Sequence, residues 1–309
     1  MRFTLEHPVG RPDCAPELYR GAGLATFVRA AEEAGFDAVA FTEHPAPSLK
    51  WLQGGGHESL DPLTALAFCA AATTRLRLLT YLLVMPYRNP FLTAKMIATV
   101  DLVSDGRLVV GTGGGYLRSE FGALGVEFEE RGALFDEALD VLRELWTQES
   151  YSGEHRHFTA RGAVSTPGPV QQPHPPFWIG GNGLNARRRA ARAAQGWMPL
   201  LIGEDMASTT RTAALATPAQ LATAVEELRR LTQEAERDPS SMDVQVQSRH
   251  SDHLVHGETS LEEHRDHLGE LAAAGATQFV VRTQGASVEA AVEALQAYGR
   301  DVIAAGTWA

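Results

Sequence analysis

The chain is poor in sulfur, in cations and in long apolar runs. Its 309 residues include two cysteines, Cys14 and Cys69. Two are too few for a disulfide framework or a thiolate metal site. Lysine and arginine number 27 against 38 aspartates and glutamates, a formal charge of −11. That balance argues against the broad basic surface that nucleic acids and anionic membranes attract. No apolar run reaches the roughly 18 residues of a membrane-spanning helix. The start, Met1-Arg2-Phe3-Thr4-Leu5-Glu6-His7, lacks the apolar core of a secretory signal. The expectation is a reduced, cytoplasmic protein whose partner is a small molecule, not nucleic acid or membrane. Lysines are few, and Lys50 and Lys95 both fall outside the apolar strand-like runs. A Schiff-base site on a strand is therefore not expected.

What is present is rhythm. Hydrophobic residues make up 44% of the chain, and short apolar runs alternate with helical periodicity. Arg2–His7 reads as a first strand. Leu24, Phe27, Val28 and Ala31 then place one apolar face on a helix over Leu18–Glu33, which Gly35 ends. Ala38–Phe41 is a second strand. Asp61-Pro62 caps a helix over Leu63–Ala72. Arg77–Val84 is a third strand, and Asn89-Pro90 opens a helix over Phe91–Val103. Leu108–Val110 is a fourth strand, running into Gly111-Thr112-Gly113-Gly114-Gly115. Helix Arg131–Leu145 follows. The rhythm then breaks over about 149–176, a polar, proline-rich stretch that reads as a lid-like insertion. It resumes with Phe177–Gly180, helix Leu184–Ala194, the short strand Gly196–Leu200, helix Ala219–Glu236, strand Asp243–Gln247, helix Leu261–Ala274, strand Gln278–Arg282 and helix Val288–Ala304.

Eight strand–helix units with helical crossovers predict parallel strands. In one domain over 1–309, they favour an α/β fold of the (β/α)8 TIM-barrel type, with the insertion between the fourth and fifth strands. A doubly wound sheet is the competing architecture. Its dinucleotide fingerprint fails, because Tyr116 stands where the third glycine of Gly111-x-Gly113 belongs, and no P-loop occurs. In a barrel the chemistry lies at the C-terminal strand ends. Those ends offer His7, Glu43, His44, the turn Thr112–Gly115, the turn Gly180–Asn182, Trp197, His250 and Arg282. His250 and His253 are three apart without further assignable ligands, so no metal is expected. A glycosidase would want two carboxylates at strand ends, and only Glu43 qualifies. Glycine turns beside aromatic and polar groups suit a flat cofactor carrying a phosphate.

At this level the chain resembles the bacterial luciferase-like monooxygenase superfamily, in its coenzyme F420-dependent branch. The resemblance covers Met1 to about Leu200. It rests on Ala30–Asp37 with Glu43-His44, on Ala71–Leu78, on Leu83–Pro90, on Asp105-Gly106-Arg107 with Gly111-Thr112-Gly113, on Glu129–Gly132 and on Pro173–Asn182. It implies a luciferase-like barrel with a non-prolyl cis peptide in the third strand, expected at Leu82–Leu83, that supports the cofactor ring. It implies that Thr112, Gly113 and Gly114 line that ring or its side chain, and that the amides of Gly180, Gly181 and Asn182 hold the phosphate. One of Arg187, Arg188, Arg189 and Arg192 could meet the phosphate; a solvated face is the simpler reading. Glu43-His44 matches the family's acidic-His pair, with His44 as a base. His7, Glu120, Trp197, His250 and Arg282 are candidates on the substrate side. Trp51 and Trp178 could also wall the pocket, though Trp178 reads better as core. The implied function is hydride transfer between coenzyme F420 and a small organic substrate. The alternatives are an FMNH2-dependent monooxygenase, with FMN as cofactor, and a non-catalytic flavin-binding barrel. A homodimer is a candidate assembly.

Overall fold

The computed structural model describes residues 1–10 and 14–306. The strands begin with β1 (Arg2–Glu6), β2 (Ala38–Phe41), β3 (Arg77–Thr80), β4 (Leu83–Val84) and β5 (Leu108–Gly113). β6 (Tyr151–Glu154) and β7 (Thr159–Ala163) form a separate antiparallel hairpin. β8 (Phe177–Gly180), β9 (Gly196–Met198), β10 (Asp243–Gln247) and β11 (Gln278–Arg282) complete the set. The large sheet runs β3-β2-β1-β11-β10-β9-β8-β5-β4, and β3 also pairs with β5, which closes it into a ring. Every pairing in that ring is parallel. Since β3 and β4 are two halves of one strand, this is an eight-position (β/α)8 barrel.

The helices lie around it: α1 (Gly21–Glu33), α2 (Leu49–Gln53), α3 (Pro62–Ala72), α4 (Pro90–Val103), α5 (Arg118–Ala123), α6 (Arg131–Thr147), α7 (Leu184–Ala193), α8 (Glu204–Thr210), α9 (Pro218–Glu234), α10 (His250–Val255), α11 (Leu261–Ala273) and α12 (Val288–Tyr298). Their starts are chemically marked. Asp61, Asn89, Thr217 and Ser260 each accept a backbone N–H at an N-cap, and proline follows three of them. Apolar faces such as Phe27, Leu66, Ile97, Leu142, Leu228 and Leu295 pack against the outside of the sheet. A smaller cluster of Ala40, Leu79, Val109, Trp178, Met198 and Val280 fills the inside. The barrel is therefore solid below and open only at its upper end. At the lower end Arg107 donates to the carbonyls of Ala70, Leu76 and Ser104 and to the Thr73 hydroxyl.

Three expectations need correction. The cis peptide is Tyr81–Leu82, one residue before the Leu82–Leu83 bond expected. The run Arg77–Val84 is apolar almost throughout, so nothing in it marks where the strand breaks. The insertion 149–176 is not a lid. Phe158 packs edge-on against Phe91 at 5.3 Å, and Gln171 hydrogen-bonds Asp101 and the Leu108 carbonyl. The hairpin end of the segment meets the start of α4 and Glu130, its Gln171 meets the lower rim, and none of its residues lines the cavity at the upper end. Finally, α2, α8 and α10 are short helices in stretches too brief for their periodicity to be read.

Candidate functional site

A cavity of about 310 Å³ opens at the C-terminal ends of the strands, at the small end of the usual range for ligand sites. One wall is built around His44. β2 ends at Phe41, and the next three residues, Thr42, Glu43 and His44, all face the cavity. Ser59 fixes His44 by its backbone: the hydroxyl accepts from the His44 N–H at 2.8 Å and donates to its carbonyl at 3.2 Å. The imidazole Nδ1 lies 3.2 Å from Oε2 of Glu120, which is 1% exposed. Glu120 also accepts from the Ala46 N–H at 3.2 Å and from the Tyr87 hydroxyl at 3.0 Å. A carboxylate that receives this many donors is an acceptor, so the network assigns the Nδ1 proton to His44. Nε2 is then the lone-pair nitrogen left open at the cavity.

Aromatic rings cover this imidazole. Trp51 lies 4.6 Å, His57 4.9 Å and Tyr116 5.9 Å from it, between ring centres. A Cβ on Gly56 would fall 2.3 Å from the Trp51 ring, so only glycine lets the loop fold back over the indole. The cover on the site is thus 48–57, not the insertion. Burial pushes His57 down to about 4, so its ring is neutral at neutral pH. Burial holds Tyr116 up at about 12 and raises Tyr87 as well.

Glu43 has a different duty. Its Oε2 accepts the Val84 N–H at 2.5 Å, and its Oε1 receives Nε of Arg88 at 2.9 Å. Burial raises its pKa against the pull of Arg88. Both oxygens are engaged, so the expectation that Glu43 is catalytic is corrected: it fastens β4 to the end of β2. On the opposite wall Tyr81 donates to Gln247 at 2.9 Å, and Gln247 donates to Glu6 at 2.7 Å. Glu6 pairs with Arg282 at 3.2 Å, and Arg282 with Asp252 at 3.1 Å. Glu6 raises Arg282 above its ordinary range, while burial raises Glu6.

The model of the luciferase-like monooxygenase family matches residues 9–308. The chain belongs to that family. It is 33% identical over 179 residues, 57% of this chain and 51% of the relative, to the F420-dependent glucose-6-phosphate dehydrogenase of Microbacterium testaceum strain StLB037. It is 32% identical over 171 residues, 53% of this chain and 44% of the relative, to the FMNH(2)-dependent dimethylsulfone monooxygenase of Pseudomonas putida. The chain thus spans about half the length of these curated relatives. Among solved structures, an F420-dependent secondary alcohol dehydrogenase in complex with an F420-acetone adduct shares the fold. Its TM-score is 0.77 at 18% identity, over 99% of both chains.

In this luciferase-like barrel the expected residues divide. His44, Glu120, Leu82, Gly181 and Arg282 line the cavity, as does Glu43. Leu83 and Thr112 do not; Thr112 donates to the Leu83 carbonyl at 2.8 Å and pins β4 to β5. Gly113 and Gly180 make room for the Leu82 side chain. A Cβ on either would lie 2.7 or 2.5 Å from Cδ1 of Leu82, so Leu82 sits where their side chains would be. Gly114 borders open space, and its neighbour Gly115 reaches the cavity instead. The phosphate assignment is corrected too. The Gly181 N–H donates to the Met198 carbonyl at 3.3 Å and the Asn182 N–H to Thr212 Oγ1 at 2.7 Å. The Asn182 side chain ties Leu200 and Ala213.

His7, Trp197 and His250 are corrected away from the cavity. His7 is 2% exposed, stacks on Phe41 at 4.8 Å and hydrogen-bonds the Leu18 carbonyl and the Val9 N–H. Trp197 is buried, with its indole N–H on the Gly181 carbonyl. His250 lines a neighbouring cavity and stacks on His267 at 3.7 Å. Arg187, Arg189 and Arg192 form ion pairs with α6 and α9. Residues missed from sequence include Ser59, His57, Tyr81, Tyr87 and Gln247. So is a cationic cluster beside the Gly181 turn. Arg118, Arg131 and Arg211 surround the Phe128 ring at 4.1, 3.9 and 5.3 Å, and Arg211 adjoins Thr212. Tyr87 lies inside the family-like stretch Leu83–Pro90 and could have been singled out there. The arginines carry no local signal, because only folding gathers them.

Proposed function

We propose that this protein is an F420-dependent oxidoreductase that oxidises or reduces a small organic substrate, with His44 as the group that takes or returns the proton. The observation that carries the reading is the His44–Glu120 pair. Glu120 orients the ring through Nδ1, leaving Nε2 as an acceptor within the cavity. The residues present fit a flat ring. Leu82, Val84 and Met198 give apolar walls, and Thr42, which lines the same cavity, has a buried hydroxyl without a partner. Arg131 and Arg211 would hold the cofactor's phosphate, replacing the amides already engaged at Gly181 and Asn182. When bound, such a ring supplies the acceptor for the hydride that leaves a hydroxyl-bearing carbon, the hydroxyl proton passing to His44. The chain's own contribution is orientation, a placed base and a cover that keeps water from the imidazole.

The test is a fluorescence titration of the full chain with coenzyme F420 and, separately, with FMN. Binding of F420 is expected, and His44→Gln is expected to keep that affinity while lowering turnover about 100-fold or more. Binding of FMN alone would overturn the F420 reading in favour of a flavin-dependent monooxygenase, as the P. putida relative is named. Binding of neither would point to a barrel without this cofactor chemistry.

A further inference from the structure

We propose that the substrate of this site is an uncharged alcohol or carbonyl compound with an apolar body, and that phosphorylated and carboxylated compounds are excluded. The inference rests on the oxidoreductase reading above and names its substrate class. It comes from the distribution of charge around the cavity. Four carboxylates line it, Glu6, Glu43, Glu120 and Asp252, against the two guanidiniums of Arg249 and Arg282. At the reacting end, beside His44, stand Glu43 and Glu120. Two cations act near it: Arg88, which is spent on Glu43 and Asp61, and Arg282, whose charge reaches the neighbouring His57. Across the cavity Arg282 is held between Glu6 and Asp252 at 3.2 and 3.1 Å. Arg249 is exposed and stands at the end of β10, well around the ring from β2 in the strand order.

A phosphate or carboxylate entering beside His44 would lose its water and meet like charge in a partly dry site. Both effects oppose binding, and like-charge juxtaposition at an interface costs several kcal/mol. What the site offers instead is neutral. His57, Trp51 and Tyr116 put aromatic surface next to the imidazole. The partnerless Thr42 hydroxyl and the Nε2 of His44, which accepts from a hydroxyl or, once protonated, donates to a carbonyl oxygen, supply two polar handles for one substrate oxygen. The arginines around Phe128 do not line the cavity, so they offer no charge to a group at His44.

The test compares ligands on the full chain, both loaded with whichever cofactor binds and alone. Trp51 fluorescence is the readout, with Trp51→Phe as the control for the signal. The probes are secondary alcohols and ketones of three to six carbons, glucose, and glucose-6-phosphate. The uncharged series is expected to saturate the Trp51 signal, with glucose-6-phosphate weaker by about 100-fold or more. Glucose-6-phosphate binding within tenfold of the best uncharged compound overturns the proposal, above all if Arg249→Ala then weakens it. Failure of every uncharged probe also overturns it. Failure of both cofactors to bind sinks the oxidoreductase reading instead, while the charge preference is still decided by the same comparison on the chain alone.

Discussion

Glu120 receives hydrogen bonds from His44, Ala46 and Tyr87, three parts of the upper rim. In the proposed reaction it would touch His44 and not the reacting atoms, which makes it a positioning residue. Its geometry fixes which nitrogen of His44 faces the cavity. Glu120→Gln keeps an acceptor for Nδ1 but removes the charge. The expected result is a drop in kcat of about 10- to 100-fold with KM little changed. Steady-state kinetics check it; an unchanged kcat would leave Glu120 a merely structural residue. The place of His44 at the cavity was legible in the sequence, because it follows closely on the apolar run Ala38–Phe41. Its pairing with Glu120 was not, since 76 residues separate the two and only the closed ring brings them together. Glu43 was misread for the converse reason. It has the chemistry of a catalytic acid, but its neighbours Val84 and Arg88 arrive from the next strand and the loop after it.

At the scale of elements, Leu82 and two glycines act as one unit. The cis peptide breaks the third strand at Tyr81–Leu82, and the Leu82 side chain occupies the space over Gly113 of β5 and Gly180 of β8. Gly180→Ala would put a methyl group 2.5 Å from Cδ1 of Leu82, and that flexible end can yield only by moving. It is expected to swing into the cavity and weaken cofactor binding about tenfold, with little loss of thermal stability. Adding Leu82→Ala should restore the affinity. Titrations of the single and double variants decide it, and an unaffected Gly180→Ala would show that the leucine can move elsewhere. The glycine turns were visible as turns that end strands. Their purpose was not, because a glycine in a sequence does not say whether ligand or protein fills the space it leaves.

For the whole molecule, the alternation of apolar runs and capped helices made the barrel legible. Each unit carries its own strand and helix signal, and eight repeats reinforce one another. The insertion was illegible because its order comes from partners outside it, such as Asp101 and Phe91. The buried histidines also act on the molecule as a whole. Burial holds His7, His57, His264 and His267 down at about 4 from the ordinary 6.5. The unfolded chain therefore binds more protons than the folded one between those values, and stability rises with pH across that window. For the fully buried His7 the effect is up to about 3 kcal/mol, a large part of a typical stability. Glu6 and Glu43, raised by burial, act in the opposite sense above 4.5, but two carboxylates oppose four imidazoles. Thermal melts should show a lower Tm at pH 5 than at pH 7, with a shallower dependence in His7→Gln. A flat profile would show that these rings protonate without disturbing the fold.

The ring is closed unequally at its two ends. Below, β3 pairs with both β2 and β5 through the backbone. Above, β4 pairs with β5 alone, and the carboxylate of Glu43 supplies the link back to the end of β2. Backbone closure is indifferent to which amino acid is present; side-chain closure is not. The lower ring can therefore be inherited unchanged while the mouth is reshaped by single substitutions at position 43 or 82. A lineage that shares this barrel can change the width of its site, and so the molecules it admits, without relearning how to fold.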